Sequence, residues 1–218
     1  MNREVIIERR FRGPSQSGNG GYSCGVVAEG VSGAVTVTLR LPPPLDRPLT
    51  LSGDSEHARL TDGENLVGEA TKSTLDLEVP EPPGLDVATD ASNDFAGFDA
   101  HPFPGCFVCG PDRERGDGLR IFPGRVGDTQ TVAAPWTPDE SLRGPDGLID
   151  RRHVWAALDC PSYFALSSRP MALLGRLTAA IDRLPDIGEP LMVVGWPIDI
   201  DGRKSFAGSA LTTGEGEV

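Results

Sequence analysis

Two acidic residues, Glu29 and Asp159, directly follow apolar stretches and are the first candidates for chemistry. No Lys or Arg stands four residues from either acid, so neither has an obvious ion-pair partner on its own helix. A carboxylate in apolar surroundings has a raised pKa and can take a proton from a water molecule that attacks a carbonyl carbon. We predict Asp159 as a general base, with Glu29 as the second candidate. The alternative is that each acid faces solvent on one side of its helix.

A run of small residues, Asn19-Gly20-Gly21, precedes Tyr22 at the predicted start of the first helix. The first N–H groups of a helix have no partner within it, and they carry the positive end of the helix dipole. Glycines let a ligand lie against this backbone. The run could therefore supply hydrogen-bond donors to a carbonyl oxygen, or it could be an ordinary flexible loop.

A Cys-x-x-Cys motif, Cys106 and Cys109, lies near the middle of the chain. It is half of a zinc site, and the plausible further ligands are Cys24, Cys160 and His101. A redox pair is disfavoured because no thioredoxin-like βαβ pattern surrounds the motif. The interpretation that we favour is a tight turn with small buried side chains. We expect no metal and no cofactor.

Four arginines follow this motif in a chain that is otherwise acidic: Arg113, Arg115, Arg120 and Arg125. Arginines can bind the phosphates of a ligand such as coenzyme A. They can equally form a solvated loop with the nearby acids, which is the favoured interpretation. These acids are Asp112, Glu114 and Asp117. Arg113 and Arg120 remain candidates for binding.

The composition of the 218 residues limits the classes of partner. The net charge of −12 and the pI near 4.6 argue against nucleic acid and anionic membranes. No apolar run reaches the about 18 residues that span a bilayer, and the first residues lack the apolar core of a signal peptide. Four cysteines do not make a disulfide framework in a chain of this length. We expect a cytoplasmic protein with reduced thiols.

The elements that must position these residues repeat in the two halves of the chain. The first half predicts strands at 5–11, 35–41, 49–60 and 66–79 and a helix at 22–31. The second half predicts strands at 119–122, 129–136, 172–181, 191–200 and 205–213 and a helix at 151–166. The preserved order indicates an internal duplication. We expect a repeat at 1–80, a Pro-rich linker at 81–104 and a second repeat at 105–218 whose final strand is missing.

The segment Cys-Phe-Val-Cys-Gly-Pro at 106–111, followed by Gly-Leu-Arg-Ile-Phe at 118–122, resembles the entry segment of hotdog-fold thioesterases. The repeated order resembles the double hotdog of acyl-CoA thioesterases, an α+β fold in which two antiparallel sheets each wrap around a central helix. The similarity extends to the thioesterase II and phenylacetate-type enzymes.

The resemblance implies roles for individual residues. Gly21 matches the glycine that polarises the thioester carbonyl, and Asp159 matches the helix aspartate of thioesterase II. Thr178 matches the threonine that helps to hold the water, but the expected glutamine is absent after Asp159. Glu29 follows Gly21 at the spacing of the catalytic glutamate in single-hotdog thioesterases. Since sites in such folds are shared between halves, we expect Gly21 opposite Asp159, and the Gly147 end of the second helix opposite Glu29.

The function that we predict is hydrolysis of a hydrophobic acyl-CoA, with binding by Asn19, Gly20, Tyr22, Trp155, Arg113 and Arg120. Four aromatic residues, Trp136, Trp155, Tyr163 and Phe164, could line an acyl tunnel. The main alternative is a non-catalytic acyl- or lipid-binding hotdog protein. A dehydratase comes last because no His lies at a Gly-rich helix start. The sequence is compatible with a homo-oligomer and does not define the oligomeric state.

Overall fold

The computed structural model describes residues 1–166, 171–214 and 216, and within them four α-helices and ten strands. The helices are α1 (Gly20–Val27), α2 (Leu85–Asn93), α3 (Arg151–Ala157) and α4 (Asp159–Phe164). The strands are β1 (Asn2–Ile6), β2 (Ala34–Leu39), β3 (Pro48–Gly53), β4 (His57–Asp62), β5 (Asn65–Ser73), β6 (Gly124–Arg125), β7 (Val132–Trp136), β8 (Arg176–Ala179), β9 (Leu191–Asp201) and β10 (Lys204–Thr213). None of these helices is long and apolar enough to span a bilayer.

The larger sheet has the order β1-β3-β4-β5-β2-β8, and all its neighbouring strands are antiparallel. Its last strand, β8, comes from the second half of the chain and pairs with β2 of the first half. In this register Thr36 lies opposite Thr178, and their hydroxyl oxygens are 2.8 Å apart. Residues from both halves therefore hold one sheet together.

The smaller sheet has the order β10-β9-β7-β6, and helices pack closely against it. Successive residues of β9 point to opposite faces of the sheet and belong to different apolar clusters. Val193 belongs to the main core, and Met192 packs with Ala88 of α2. Gly195 of β9 lies so close to α4 that a Cβ there would approach the Pro161 carbonyl oxygen to 2.4 Å. The first residues of β9 are thus buried on both faces of the sheet, which explains the continuous apolar run at 191–194.

Helices α1 and α3 cross at two glycines of α1. A Cβ at Gly21 would lie 2.5 Å from the Trp155 carbonyl oxygen, and one at Gly25 would lie 2.8 Å from the Arg152 Cα. The two glycines are four residues apart and share one face of the helix. Their missing side chains let the two backbones approach, and this approach brings α4, which follows α3, close to the start of α1.

The prediction of an α+β fold with two antiparallel sheets is confirmed. The single strand predicted at 49–60 is wrong. The chain turns there between β3 and β4, because the Asp54 carboxylate accepts hydrogen bonds from the N–H groups of Glu56 and His57. The predicted linker at 81–104 contains α2. The helix predicted at 151–166 is divided at Leu158, where Pro161 cannot donate to the Ala157 carbonyl.

The strand predicted at 119–122 is also wrong. Arg120 has a φ of 55°, in the left-handed region that interrupts an extended strand. The N–H groups of Leu119 and Ile121 instead donate to the carbonyl oxygens of Phe107 and Val108. The apolar alternation that suggested a strand therefore reflects loop side chains buried against the cysteine motif.

Candidate active site

The Asp159 carboxylate is the centre of the candidate site. Asp159 is the first residue of α4, and only 9% of its surface is exposed. Its Oδ2 accepts hydrogen bonds from the Gly21 N–H at 2.8 Å and from the Asn19 amide at 3.1 Å. Burial raises the pKa of Asp159 to about 6, although the hydrogen bond from Gly21 lowers it in part. The carboxylate is therefore buried yet able to change its protonation state near neutral pH.

Asn19 positions this carboxylate from the N-terminus of α1. Its Oδ1 accepts a hydrogen bond from the Tyr22 N–H at 2.9 Å and so caps the helix. Because the oxygen faces the helix, the amide nitrogen must face Asp159. The cap thus holds the Asn19 amide in position to donate to the Asp159 carboxylate, and both side chains are buried.

A cleft of about 80 Å³ adjoins Asp159 and Asn19. Such a volume holds a few water molecules but is smaller than the usual site for an organic ligand, which starts at about 300 Å³. Its apolar wall comes from Tyr163, Phe164 and Leu174. A Cβ at Gly20 would lie 2.7 Å from the Cβ of Leu174, so a glycine is required for the cleft to keep this shape. The cleft can hold water beside a carboxylate, with an apolar group against its wall.

Three cysteines line the same cleft. The Sγ atoms of Cys106, Cys109 and Cys160 all lie within 4.8 Å of one another, and none is in a disulfide. Hydrogen bonds from the Cys109 and Cys160 thiols lower the pKa of Cys106. Burial raises the pKa of Cys109, and the hydrogen bond to Cys106 raises the pKa of Cys160. Cys24, on α1, is buried but does not belong to this group.

Two of the predicted catalytic residues lie away from Asp159. Glu29 follows the end of α1, is 44% exposed and forms an ion pair with Arg3 of β1. Thr178 pairs with Thr36 across the β2–β8 ladder. Neither residue lines the cleft. Gly21 does contact Asp159, but its N–H donates to the carboxylate itself.

The predicted binding residues divide in the same way. Asn19 and Gly20 line the cleft, whereas Tyr22 and Trp155 are buried outside it. The Tyr22 ring stacks on Phe11 with centroids 4.0 Å apart, and burial raises the pKa of its hydroxyl above the ordinary value. These two side chains shape the core beside the site.

Arg113 and Arg120 are occupied by the protein itself. Arg113 is 4% exposed and donates to Asp117 and to the carbonyl oxygens of Gly105 and Arg10. Arg120 donates to the Arg113 carbonyl oxygen and lies over the Phe122 ring. Both arginines hold the loop after the cysteine motif in place, so neither is presented to a ligand.

Of the four aromatic residues predicted to line a tunnel, Tyr163 and Phe164 do line the cleft, whereas Trp136 and Trp155 are buried elsewhere. Sequence reasoning missed the contact of Asn19 with Asp159 and the apolar wall at Leu174. The first had a signal, because Asn is a preferred N-cap residue before a helix. The second depends on tertiary packing alone.

No protein-family model and no curated protein matches this chain. Solved structures do match it. A candidate thioesterase II from Thermobifida fusca YX has a TM-score of 0.61 and 15% identity, over 99% of this chain and 88% of that one. A candidate thioesterase from Novosphingobium aromaticivorans DSM 12444 has a TM-score of 0.59 and 12% identity, over 99% and 90% of the chains. A candidate oleoyl thioesterase from Lactobacillus plantarum has a TM-score of 0.58 and 9% identity, over 97% and 90%. The predicted resemblance to hotdog-fold thioesterases is therefore confirmed for the fold.

Proposed function

We propose that the protein is a double hotdog hydrolase of acyl thioesters, with a hydrophobic acyl-CoA as substrate and Asp159 as the general base. The observation that carries the proposal is the buried Asp159 carboxylate at the wall of a cleft, held by Gly21 and Asn19. The fold shared with candidate thioesterases supports it. We further propose repeats at 1–80 and 105–218, joined by 81–104.

The strand order supports the double hotdog. The first half has the order β1-β3-β4-β5-β2, with α1 after its first strand. In the second half, β7, β9 and β10 lie in the same order, with α3 after β7, and β8 stands beside β2. β7, β9, β10 and β8 thus correspond to β1, β3, β4 and β2. Among the described residues no strand occupies the place that corresponds to β5.

The proposed mechanism begins with a water molecule in the cleft. Within the described part of the chain Asp159 accepts hydrogen bonds at Oδ2 only, so Oδ1 is left to accept one from water. Asp159 takes a proton from this water while the water oxygen attacks the thioester carbonyl carbon. The carbon–sulfur bond then breaks, and the leaving thiolate receives the proton. The products are a carboxylic acid and a thiol.

The oxyanion that forms in this step needs a donor other than Gly21. The Gly21 N–H is bound to Asp159, whereas the Gly20 N–H makes no hydrogen bond within the described residues. Gly20 lines the cleft at the positive end of α1. We assign the oxyanion contact to the Gly20 N–H. An acyl chain would lie against Tyr163, Phe164 and Leu174 and would have to widen the cleft.

A second function is favoured by one observation. The Gly21 N–H and Thr178, which the resemblance implies for catalysis, are both bound to other groups. A protein with this arrangement could bind an acyl group without hydrolysing its thioester. Both a hydrolase and a binding protein would bind the acyl chain, but only the hydrolase would release thiol.

The experiment that tests the proposal measures thiol release from acyl-CoAs of increasing chain length, together with the melting temperature in their presence. If the protein is a hydrolase, the native protein should release thiol. Asp159→Asn should abolish this release, and Glu29→Gln should leave it intact. Loss of activity in Glu29→Gln alone would move the base to Glu29. A rise in melting temperature without any thiol release would support the binding protein instead.

A further inference from the structure

We infer that Cys106, Cys109 and Cys160 bind one zinc ion as thiolates at the wall of the cleft, beside Asp159. This inference differs from the sequence analysis, which predicted that the protein binds no metal. It does not depend on thioester hydrolysis, because a metal can be measured whether or not the protein is an enzyme. It rests on the geometry of the three sulfur atoms, on the turn that carries two of them and on the groups around them.

The spacing of the sulfur atoms fits one tetrahedral ion. With Zn–S bonds of about 2.3 Å, neighbouring sulfur atoms in a tetrahedron are about 3.8 Å apart. The Sγ atoms of Cys106 and Cys160 are 3.9 Å apart, and all three lie within 4.8 Å. Sulfur atoms this close can share a single ion. Three thiolates are soft ligands that favour zinc over magnesium or calcium.

The backbone around Cys106 and Cys109 is built as a tight turn. The Gly110 N–H donates to the Cys106 carbonyl oxygen at 2.9 Å, and the Cys106 N–H donates to the Phe103 carbonyl oxygen at 2.8 Å. A Cβ at Gly110 would lie 2.5 Å from that Cys106 oxygen, so the turn requires glycine. The turn directs both thiols to one point. Cys160 reaches the same point from α4, so the ion would tie two distant parts of the chain together.

Hydrogen-bond donors face two of the three sulfur atoms. His101 accepts a hydrogen bond at Nδ1 from the Phe103 N–H at 2.9 Å, so the hydrogen of its neutral ring is on Nε2. This Nε2–H donates toward the Cys109 Sγ at 3.3 Å, and the Asn19 amide lies 3.8 Å from the Cys106 Sγ. Donors of this kind orient and stabilise metal ligands. His101 is thus a hydrogen-bond donor to a ligand, and the cleft that the three cysteines line has room for a water molecule as the fourth ligand.

Cys24 shows how an ordinary buried cysteine differs. It is fully buried on α1, and it neither lines the cleft nor belongs to the group of three sulfur atoms. By contrast the three clustered thiols line a cleft together with His101 and Asp159. Zinc binds cysteine only as a thiolate, so binding would release thiol protons to solvent and the affinity should fall as the pH falls.

The test is the metal content of the full chain, purified without added metal, without chelator and without a nickel column. We expect about one zinc ion per chain by mass spectrometry of the metal. Cys106→Ser, Cys109→Ser and Cys160→Ser should each lose it, whereas Cys24→Ser is the matched control and should keep it. His101→Gln should keep one ion with an affinity about 10- to 100-fold lower.

A second measurement keeps the inference testable if a serine variant fails to fold. The native protein is stripped of metal and titrated with Co²⁺, and three thiolate ligands predict a strong sulfur-to-cobalt charge-transfer band that added Zn²⁺ abolishes. Absence of that band, or a native protein that takes up no zinc when it is offered, would overturn the inference. So would a folded Cys160→Ser variant that retains its zinc. Thiol release is not among these results, so failure of the metal site and failure of the hydrolase remain distinguishable.

Discussion

Replacement of Gly25 by alanine should destabilise the protein, because α1 and α3 are in backbone contact at this residue. The new Cβ would lie 2.8 Å from the Arg152 Cα and 3.0 Å from the Trp155 Cβ. Ordinary contact begins at 3.4 Å, so the closest pair is too near by 0.6 Å. The Arg152 Cα belongs to a helix backbone and cannot rotate away. The helices must therefore separate.

Two opposing effects set the size of the change. Alanine is favoured over glycine inside a helix by about 0.5–1 kcal/mol. Overpacking in a close-packed core costs about 1–3 kcal/mol. Because overpacking costs more than the helix preference gains, we expect Gly25→Ala to lower the free energy of unfolding by roughly 0.5–2 kcal/mol. Separation of the helices should also lengthen the contact of Gly21 with Asp159 and reduce any activity that depends on it.

The assay is urea unfolding of the native protein, of Gly25→Ala and of Gly175→Ala. Gly175 is the matched control, because a Cβ there would meet nothing within 4 Å. We expect the control to change the free energy of unfolding by less than about 0.5 kcal/mol. A Gly25→Ala protein as stable as the native one, or more stable, would show that the two helices are not held in backbone contact.

Two further predictions concern buried polar groups beside the site. Burial lowers the pKa of His153 from 6.5 to about 4, and its Nε2 has no hydrogen-bond partner among the described residues. As the pH falls below 6.5 the unfolded chain binds the His153 proton first, so His153 alone should remove about 2 kcal/mol of stability by pH 5. The raised pKa of Asp159 acts in the opposite direction over the same range, so the comparison with a His153 variant isolates the effect. His153→Leu should lose correspondingly less free energy of unfolding over the same pH range in urea unfolding, and equal losses would contradict the burial of a neutral ring.

Asn19→Ala should lower the free energy of unfolding by about 1 kcal/mol through the lost cap, whereas Asn19→Ser should keep the cap and lose only the hydrogen-bond donor to Asp159. Thiol release should then fall in both variants but stability mainly in Asn19→Ala, and a fully active Asn19→Ser protein would contradict the role of the amide.

The sequence predicted the parts of the site that depend on local structure. The Asn19-Gly20-Gly21 run marks the start of a helix through cap preference and backbone freedom, and both signals lie within a few residues. An acid after an apolar run pointed to Asp159 in the same way. The strands followed from alternating segments and turn residues. Each of these inferences used neighbours along the chain, whereas the arrangement of the strands in two antiparallel sheets was implied by the resemblance to the double hotdog fold.

The parts that the sequence did not predict depend on contacts between distant segments. Glu29 was a candidate because it lacked a partner on its own helix, but its partner Arg3 comes from β1. Thr178 is occupied by Thr36 because the β2–β8 register places them opposite one another. Likewise Cys160 joins the Cys-x-x-Cys motif only through the packing of α4. Spacing along the chain could not distinguish Cys160 from Cys24.

The most direct test of the central claim compares thiol release by Asp159→Asn with that of the native protein on the acyl-CoA that the native protein hydrolyses fastest. Asp90→Asn makes the same change at an exposed residue of α2 and serves as the control. A general base contributes about 10²- to 10⁴-fold, so we predict a loss of at least about a hundredfold in Asp159→Asn, with the fold retained. The control should match the native rate. A folded Asp159→Asn protein that releases thiol at the native rate would contradict the proposal that Asp159 activates the water.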